Sequence, residues 1–157
     1  MTKTTRATLA LDRAGVAYAV RTYAYDPGAE RIGVHAAESL GVDPARVLKT
    51  LMALVDGKPV CVLLASDREV AMKRLAAAVG GKAAEMMRPA DAERATGYHV
   101  GGISPFGQKR AVPVVIDSAA LQQAQVFVNG GQRGVQVELS PHDLVRTLRA
   151  TTAPVAV

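Results

Sequence analysis

The chain has 157 residues, of which 49% are hydrophobic and 21% charged, with 19 Lys and Arg against 14 Asp and Glu. These proportions suit one folded domain that hides roughly 70% of its unfolded surface, and they argue against a disordered or low-complexity chain. Aromatic residues reach only 4% and Trp is absent, which excludes a binding surface of many stacked rings and leaves the core to Val, Leu, Ala and Met.

In chain order, Thr4 to Ala14 reads as a helix stopped by Gly15, a natural left-handed C-terminal residue. Val16 to Tyr23 reads as a strand, with Tyr18 and Val20 on one face and Arg21 and Tyr23 on the other. Asp26-Pro27-Gly28 breaks it. Val34 to Leu40 is a short helix closed by Gly41, and Asp43-Pro44 caps a further turn. Val47 to Val55 and Lys58 to Ala65 are apolar runs joined by Asp56-Gly57, a hairpin signal because both turn residues accept positive φ.

Ser66 and Glu69 have the spacing of a capping box for a helix reaching about Val79 and ended by Gly80-Gly81. Arg88-Pro89 opens another helix, stopped at Gly97. Val112 to Ile116, Gln125 to Val128 and Val135 to Leu139 are further strands, and Ser140 to Asp143 has the spacing of a last helix cap. Strands and helices interleave around at least one antiparallel hairpin. The expected fold is therefore α/β (α+β): a curved, mixed sheet with helices packed around it, in one domain spanning residues 1–157.

The formal charge of +5 favours a polyanionic partner, since Lys and Arg release counterions from phosphates, although many basic proteins bind no nucleic acid. Cys61 is the single cysteine, so no internal disulfide is possible, in keeping with a reducing cytoplasm. Met1 to Ala10 lacks the apolar core of a signal peptide, and no apolar stretch approaches the roughly 20 residues of a membrane span. A cytoplasmic protein without a membrane partner is the expectation.

The most unusual stretch is Gly97 to Gly107, GYHVGGISPFG, with four glycines and a proline in eleven residues between a helix and a strand. Free N–H groups of such a loop can hold a carbonyl oxygen, an oxyanion or a phosphate; a surface loop rich in turn residues is the alternative. The spacing is neither that of a P-loop nor of a dinucleotide fingerprint. Lys49 is the second candidate. By alternation it shares a face with Val47, Leu51, Ala53 and Val55, where a lone cation either points into a cleft or snorkels to water from a strand end. Asn129 to Gly134 reads either as a plain hairpin loop or as a third part of a site. His35, His99 and His142 have no metal-ligand spacing, so no metal and no cofactor is expected. Ser66 and Ser140 read as caps, and no Gly-x-Ser-x-Gly elbow is present.

Taken together, Lys49-Thr50-Leu51, Gly97-Tyr98 running into Gly101 to Gly107, and Gly130 to Gly134 resemble the YbaK/EbsC family in order and spacing. The resemblance extends from the first helix to Ser140-Pro141-His142-Asp143-Leu144, and Tyr23 before Asp26-Pro27 looks like a family position. That family is related to the editing domain of bacterial prolyl-tRNA synthetases and removes amino acids wrongly attached to tRNA(Pro), the YbaK branch acting on cysteine. The resemblance implies a curved, largely antiparallel, barrel-like sheet and a cleft for the aminoacylated 3′ end. It also implies work in a ternary complex with prolyl-tRNA synthetase and tRNA(Pro).

The matching positions imply roles. Lys49 would contact the terminal phosphate or the ester region, and the Gly101-Gly102 backbone would hold the ester carbonyl as its oxygen gains charge. Tyr23, Thr50 and Ser104 would line the pocket, with Asn129 and Gly130 facing it from the second glycine loop. No side chain stands out as nucleophile or general base, in keeping with a family mechanism in which the substrate's own thiol attacks its ester. Ile32 stands where the family often has an aromatic, which bears on the preferred amino acid. Two other readings are a deacylase for alanyl-tRNA(Pro) or another small amino acid, and a non-catalytic tRNA- or synthetase-binding module. For tRNA contact, Lys109-Arg110 beside the loop is the first choice, with Arg21, Arg31 and Arg46 either in the same basic surface or on an ordinary solvated face.

Overall fold

The computed structural model describes residues 4–29 and 31–157. Helix α1 (Arg6–Ala14) starts where the Thr5 hydroxyl accepts from the Thr8 N–H and the Thr8 side chain accepts from the Thr5 N–H. Gly15 ends it in the left-handed conformation. The other elements follow as β1 (Ala19–Thr22), α2 (Ile32–Leu40), β2 (Leu48–Val55), β3 (Lys58–Ala65), α3 (Met72–Ala78) and β4 (Ala84–Met86). Then come α4 (Pro89–Thr96), β5 (Val114–Asp117), β6 (Val126–Asn129), β7 (Val135–Leu139), α5 (Pro141–Leu148) and β8 (Thr151–Ala153).

The strands form two sheets. One has the order β1-β7-β6 and is antiparallel throughout; the other has the order β4-β2-β3-β5-β8, with β3–β5 and β5–β8 parallel. The β2–β3 hairpin turns at Asp56 and Gly57, both at positive φ (50° and 81°), and runs in register from Val55↔Lys58 to Leu48↔Ala65. Such a two-residue turn matches the twist of the strands it joins. Among the described residues the sheets are joined by one parallel bridge, Val47↔Phe127.

The sheet is not closed into a barrel, contrary to the closure implied by the resemblance. Strand β4 pairs with β2 only over Ala53–Val55, and no strand among the described residues takes the same edge from Leu48 to Leu51. The gap leaves a cleft where closure would have put a ladder. The capping box expected at Ser66 and Glu69 is also not formed. The Ser66 hydroxyl donates to the Pro44 carbonyl at 3.0 Å, and α3 begins behind Ala71 with no side-chain cap. A bridge between Val70 and Ala156 holds the intervening segment away from helical geometry. By contrast, Ser140 caps α5 by accepting from the Asp143 N–H.

The largest core lies under α1, α4 and α5 and includes Leu11, Leu63, Ile116, Val128, Leu139 and Leu144. A second core beneath α3 centres on Val62, Leu75 and Val115. A small third one, where α2 covers Val47 and Phe127 at the junction of the sheets, fixes α2 against the cleft. No helix among the described residues is long and apolar enough to cross a membrane.

Candidate active site in the cleft between the sheets

A cleft of about 300 Å³ opens at the free edge of β2. Its lining brings together Lys49, Thr50 and Leu51 of β2, Arg31 and Ile32 at the start of α2, Tyr23, and the segments that carry Gly101, Ile103, Asn129 and Gln136. Asn129 and Gln136 are direct cross-strand partners of β6 and β7, so their side chains leave the same face together. The Thr50 hydroxyl and Gln136 Oε1 are buried without a hydrogen-bond partner among the described residues. Buried polar atoms seldom stay unpaired unless water or a ligand completes them.

Lys49 is half-buried, with its Nζ 3.8 Å from Glu69 Oε1. Burial lowers its pKa, and the Glu69 carboxylate acts in the opposite sense. Burial likewise raises the Tyr23 phenol, opposed by the neighbouring Gln136 side chain. The Tyr23 ring meets His35 of α2 edge-on at 6.0 Å, which fixes its orientation.

The Val100-Gly101 segment is held from three sides. The Val100 N–H donates to Glu93 Oε2 at 2.9 Å, a bond that holds this carboxyl below its ordinary pKa. The Val100 carbonyl accepts from Arg133, and the Gly101 carbonyl accepts from Asn129 Nδ2 at 3.1 Å. Among the four backbone polar groups of these two residues, only the Gly101 N–H has no partner among the described residues. Gly101 sits at φ 90°, a conformation that side chains with a Cβ rarely take.

The cleft thus gathers Tyr23, Ile32, Lys49, Thr50, Gly101 and Asn129 from segments far apart in sequence. Three other expected residues lie outside its lining. The Gly102 N–H is used by the His99 carbonyl at 2.8 Å, and the residue packs on the backbone of Gln132 and Arg133. Ser104 is fully buried, its hydroxyl accepting from the Phe106 N–H at 3.2 Å. The Gly130 N–H donates to the Val135 carbonyl at 2.8 Å, and a Cβ at Gly130 would strike the Val135 side chain.

Arg31, Glu69 and Gln136 line the cleft without having been expected there. For Gln136 the signal was present: in Val135-Gln136-Val137-Glu138-Leu139 it alternates with apolar residues and so shares a face with Glu138. Arg21 and Arg46 both pair with Glu138 and lie over the Phe127 ring, whereas Lys109 and Arg110 are exposed.

The described lining contains no Cys, His or Asp, and no group of three potential metal ligands occurs among the described residues. The Thr50 and Ser66 side chains in the lining carry hydroxyls, but among the described residues that of Thr50 has no partner and that of Ser66 donates to the Pro44 carbonyl, so neither is hydrogen-bonded to a base. The cleft offers two cations, Lys49 and Arg31, and two unsatisfied polar side-chain atoms, beside a Gly101 whose N–H is unpaired among the described residues, a set that can seat an acyl group and accept negative charge on its oxygen.

Residues 26–147 match the family described as the aminoacyl-tRNA editing domain. EbsC of Enterococcus faecalis, whose name carries a provisional assignment as a Cys-tRNA(Pro)/Cys-tRNA(Cys) deacylase, is 38% identical over 110 residues, covering 69% of this chain and 67% of EbsC. The proline–tRNA ligase of Acidithiobacillus ferrooxidans is 35% identical over 85 residues, which are 54% of this chain but only 15% of the ligase. A solved structure described as a proposed trans-editing enzyme for prolyl tRNA synthetase superposes with a TM-score of 0.82 over 99% of each chain. At 20% identity that likeness is one of fold.

Proposed function

The chain belongs to the aminoacyl-tRNA editing domain family, and from that premise we propose that it is a trans-editing deacylase that removes cysteine wrongly attached to tRNA(Pro). The bond cleaved is the ester between the amino acid and the terminal ribose. The observation that carries this reading is the convergence of Lys49, Thr50 and Gly101 on one cleft, where among the described residues the Gly101 N–H is unpaired and no lining hydroxyl is hydrogen-bonded to a base.

In this reading the terminal adenosine enters at the free edge of β2, with Lys49 against its phosphate or the ester region. The ester carbonyl oxygen faces the Gly101 N–H. The cysteine thiol of the substrate attacks its own carbonyl carbon, forming the C–S bond. The electron pair of the C=O moves to oxygen and then returns, expelling the ribose 3′ oxygen, which takes up the proton that the thiol gives up on attack. The product is free tRNA and a strained cyclic thiolactone that water opens. The protein contributes positioning and oxyanion stabilisation, and each effect is worth several kcal/mol in known enzymes. Tyr23, Ile32 and Asn129 shape the space around the amino acid, and Ile32 in place of a ring leaves that wall aliphatic.

The partners in this proposal are tRNA(Pro) and prolyl-tRNA synthetase in the cytoplasm. The similarity to a segment of a proline–tRNA ligase supports it, as does the formal charge of +5. The deciding experiment compares deacylation of cysteinyl-, seryl- and alanyl-tRNA(Pro) by wild type and Lys49→Ala. Rapid loss of the cysteinyl ester alone, abolished in the variant, is expected. Equal loss of the seryl ester would rule out thiol attack, preference for alanine would change the substrate, and no hydrolysis of any ester would favour a binding module.

A further inference from the structure

We infer that Arg133 is a positioning residue that aims and strengthens the Gly101 N–H; the inference rests on the reading of that N–H as the oxyanion donor. Arg133 Nε and Nη2 both donate to the Val100 carbonyl, at 2.9 and 2.8 Å. That carbonyl belongs to the same peptide unit as the Gly101 N–H. No cis peptide bond occurs among the described residues, so the N–H points opposite to the carbonyl across one rigid plane. Holding the oxygen with two charged donors therefore fixes where the N–H points. It also draws electron density through the amide towards oxygen, which makes the N–H a better donor.

Two contacts hold Arg133 itself. Its guanidinium lies 5.4 Å from the centre of the Tyr25 ring, within the range of cation–π attraction. The Arg133 backbone packs on Gly102, where a Cβ would come within 3.0 Å of its nitrogen. Gly131 and Gly134, at φ 93° and 80°, turn the loop back so that this contact forms. On the other side of the segment, Glu93 holds the Val100 N–H. Val100 is thus clamped between a carboxylate and a guanidinium, leaving the Gly101 N–H as the group without an acceptor among the described residues. A lysine at 133 has no planar fork and cannot reproduce the paired contact.

The test measures cysteinyl-tRNA(Pro) deacylation and the amide NMR resonance of Gly101 in wild type, Arg133→Lys and Arg133→Ala. For Arg133→Ala we expect kcat to fall about 30-fold, within the effect of disturbing an oxyanion donor. KM should stay within about two-fold, because Arg133 is not among the residues that line the cleft. Added ethylguanidinium should restore part of the rate and ethylammonium should not. The Gly101 amide should shift upfield and exchange faster even without substrate. An unchanged kcat, a rise in KM alone, or an unmoved Gly101 resonance would each overturn the inference. A wild-type protein inactive on every aminoacyl-tRNA would instead sink the deacylase reading, and the Gly101 resonance would then decide the positioning claim by itself.

Discussion

Asn129 and Gly101 are joined across the mouth of the cleft: the Asn129 Nδ2 donates to the Gly101 carbonyl at 3.1 Å while its Oδ1 accepts from the Gly131 N–H at 2.7 Å. One amide side chain therefore ties both glycine loops to the end of β6. Asn129→Ala should cost about 1–3 kcal/mol, because two backbone groups lose their partner. Its deacylation rate should fall further than that loss of folded protein accounts for. Asn129→Asp keeps the acceptor for Gly131 but sets a carboxylate against the Gly101 oxygen, and should be slower still. Urea titration alongside single-turnover rates checks both variants.

Gly101 and Gly107 both sit at positive φ, yet a methyl group meets different surroundings at the two sites. At Gly101 it would approach the Tyr25 hydroxyl at 2.9 Å and Arg133 Nε at 3.3 Å, the far ends of side chains that can yield. At Gly107 it would meet the Arg6 carbonyl oxygen at 2.6 Å, which is backbone of α1. Gly101→Ala should lose about 1–2 kcal/mol from backbone strain and at least about 100-fold in rate. Gly107→Ala should lose roughly 3–5 kcal/mol, with normal activity in the fraction that folds. Activity per folded molecule separates the two; a fully active Gly101→Ala protein would remove this N–H from the mechanism.

The Lys49–Glu69 contact is weak by geometry, with the Glu69 side chain 81% exposed. Glu69→Gln should therefore change stability by less than about 0.5 kcal/mol. Lys49 contributes differently, through burial. Its folded-state pKa lies below 10.5, so in the window between that lowered value and 10.5 the unfolded chain binds more protons than the folded one. Stability due to Lys49 should accordingly rise with pH through that window. Lys49→Met should lose this rise, as seen in melts from neutral pH upwards, and should lose deacylation as well.

Tyr98 gives the opposite slope. It is 5% exposed, and its hydroxyl donates to the Phe106 carbonyl inside the glycine-rich loop. Burial pushes its pKa up to about 12 from 10.0. The folded state holds this proton where the unfolded chain releases it, so the contribution is intact below pH 10 and is lost as pH rises towards 12. The full effect is at most ~2.7 kcal/mol. Tyr98→Phe should melt lower by ~1 kcal/mol at neutral pH for the lost hydrogen bond, but should show a shallower alkaline decline.

Local signals made much of this fold legible. Gly15 ends α1, Asp56-Gly57 turn the β2–β3 hairpin, Gly97 ends α4, and Ser140 caps α5, each where short-range chemistry alone predicts it, whereas α1 begins behind Thr5 rather than at Thr4. The Lys49 and Gly97–Gly107 segments stood out for the same reason: a cation among apolar residues and glycines in excess of a turn's needs are visible without a partner. Strands β4 and β8 were not anticipated, since three residues carry no period. Ser66 and Glu69 matched a cap by spacing, but the Val70↔Ala156 bridge, 86 positions apart, prevailed over it.

What the sequence determined, then, was everything set within a few residues: caps, turns, strand alternation, and which segments carry unusual chemistry. The tertiary structure alone decided that the sheets stay open at Leu48–Leu51 and that Gln136 stands beside Asn129. It also decided that Gly101, rather than Gly102, has its N–H unpaired among the described residues. The physical reason is that a backbone N–H is donor or spectator according to whether some distant acceptor has already taken it. For Gly101 that outcome depends on how Arg133 and Asn129, from the β6–β7 loop and β6, grip the two carbonyls around it.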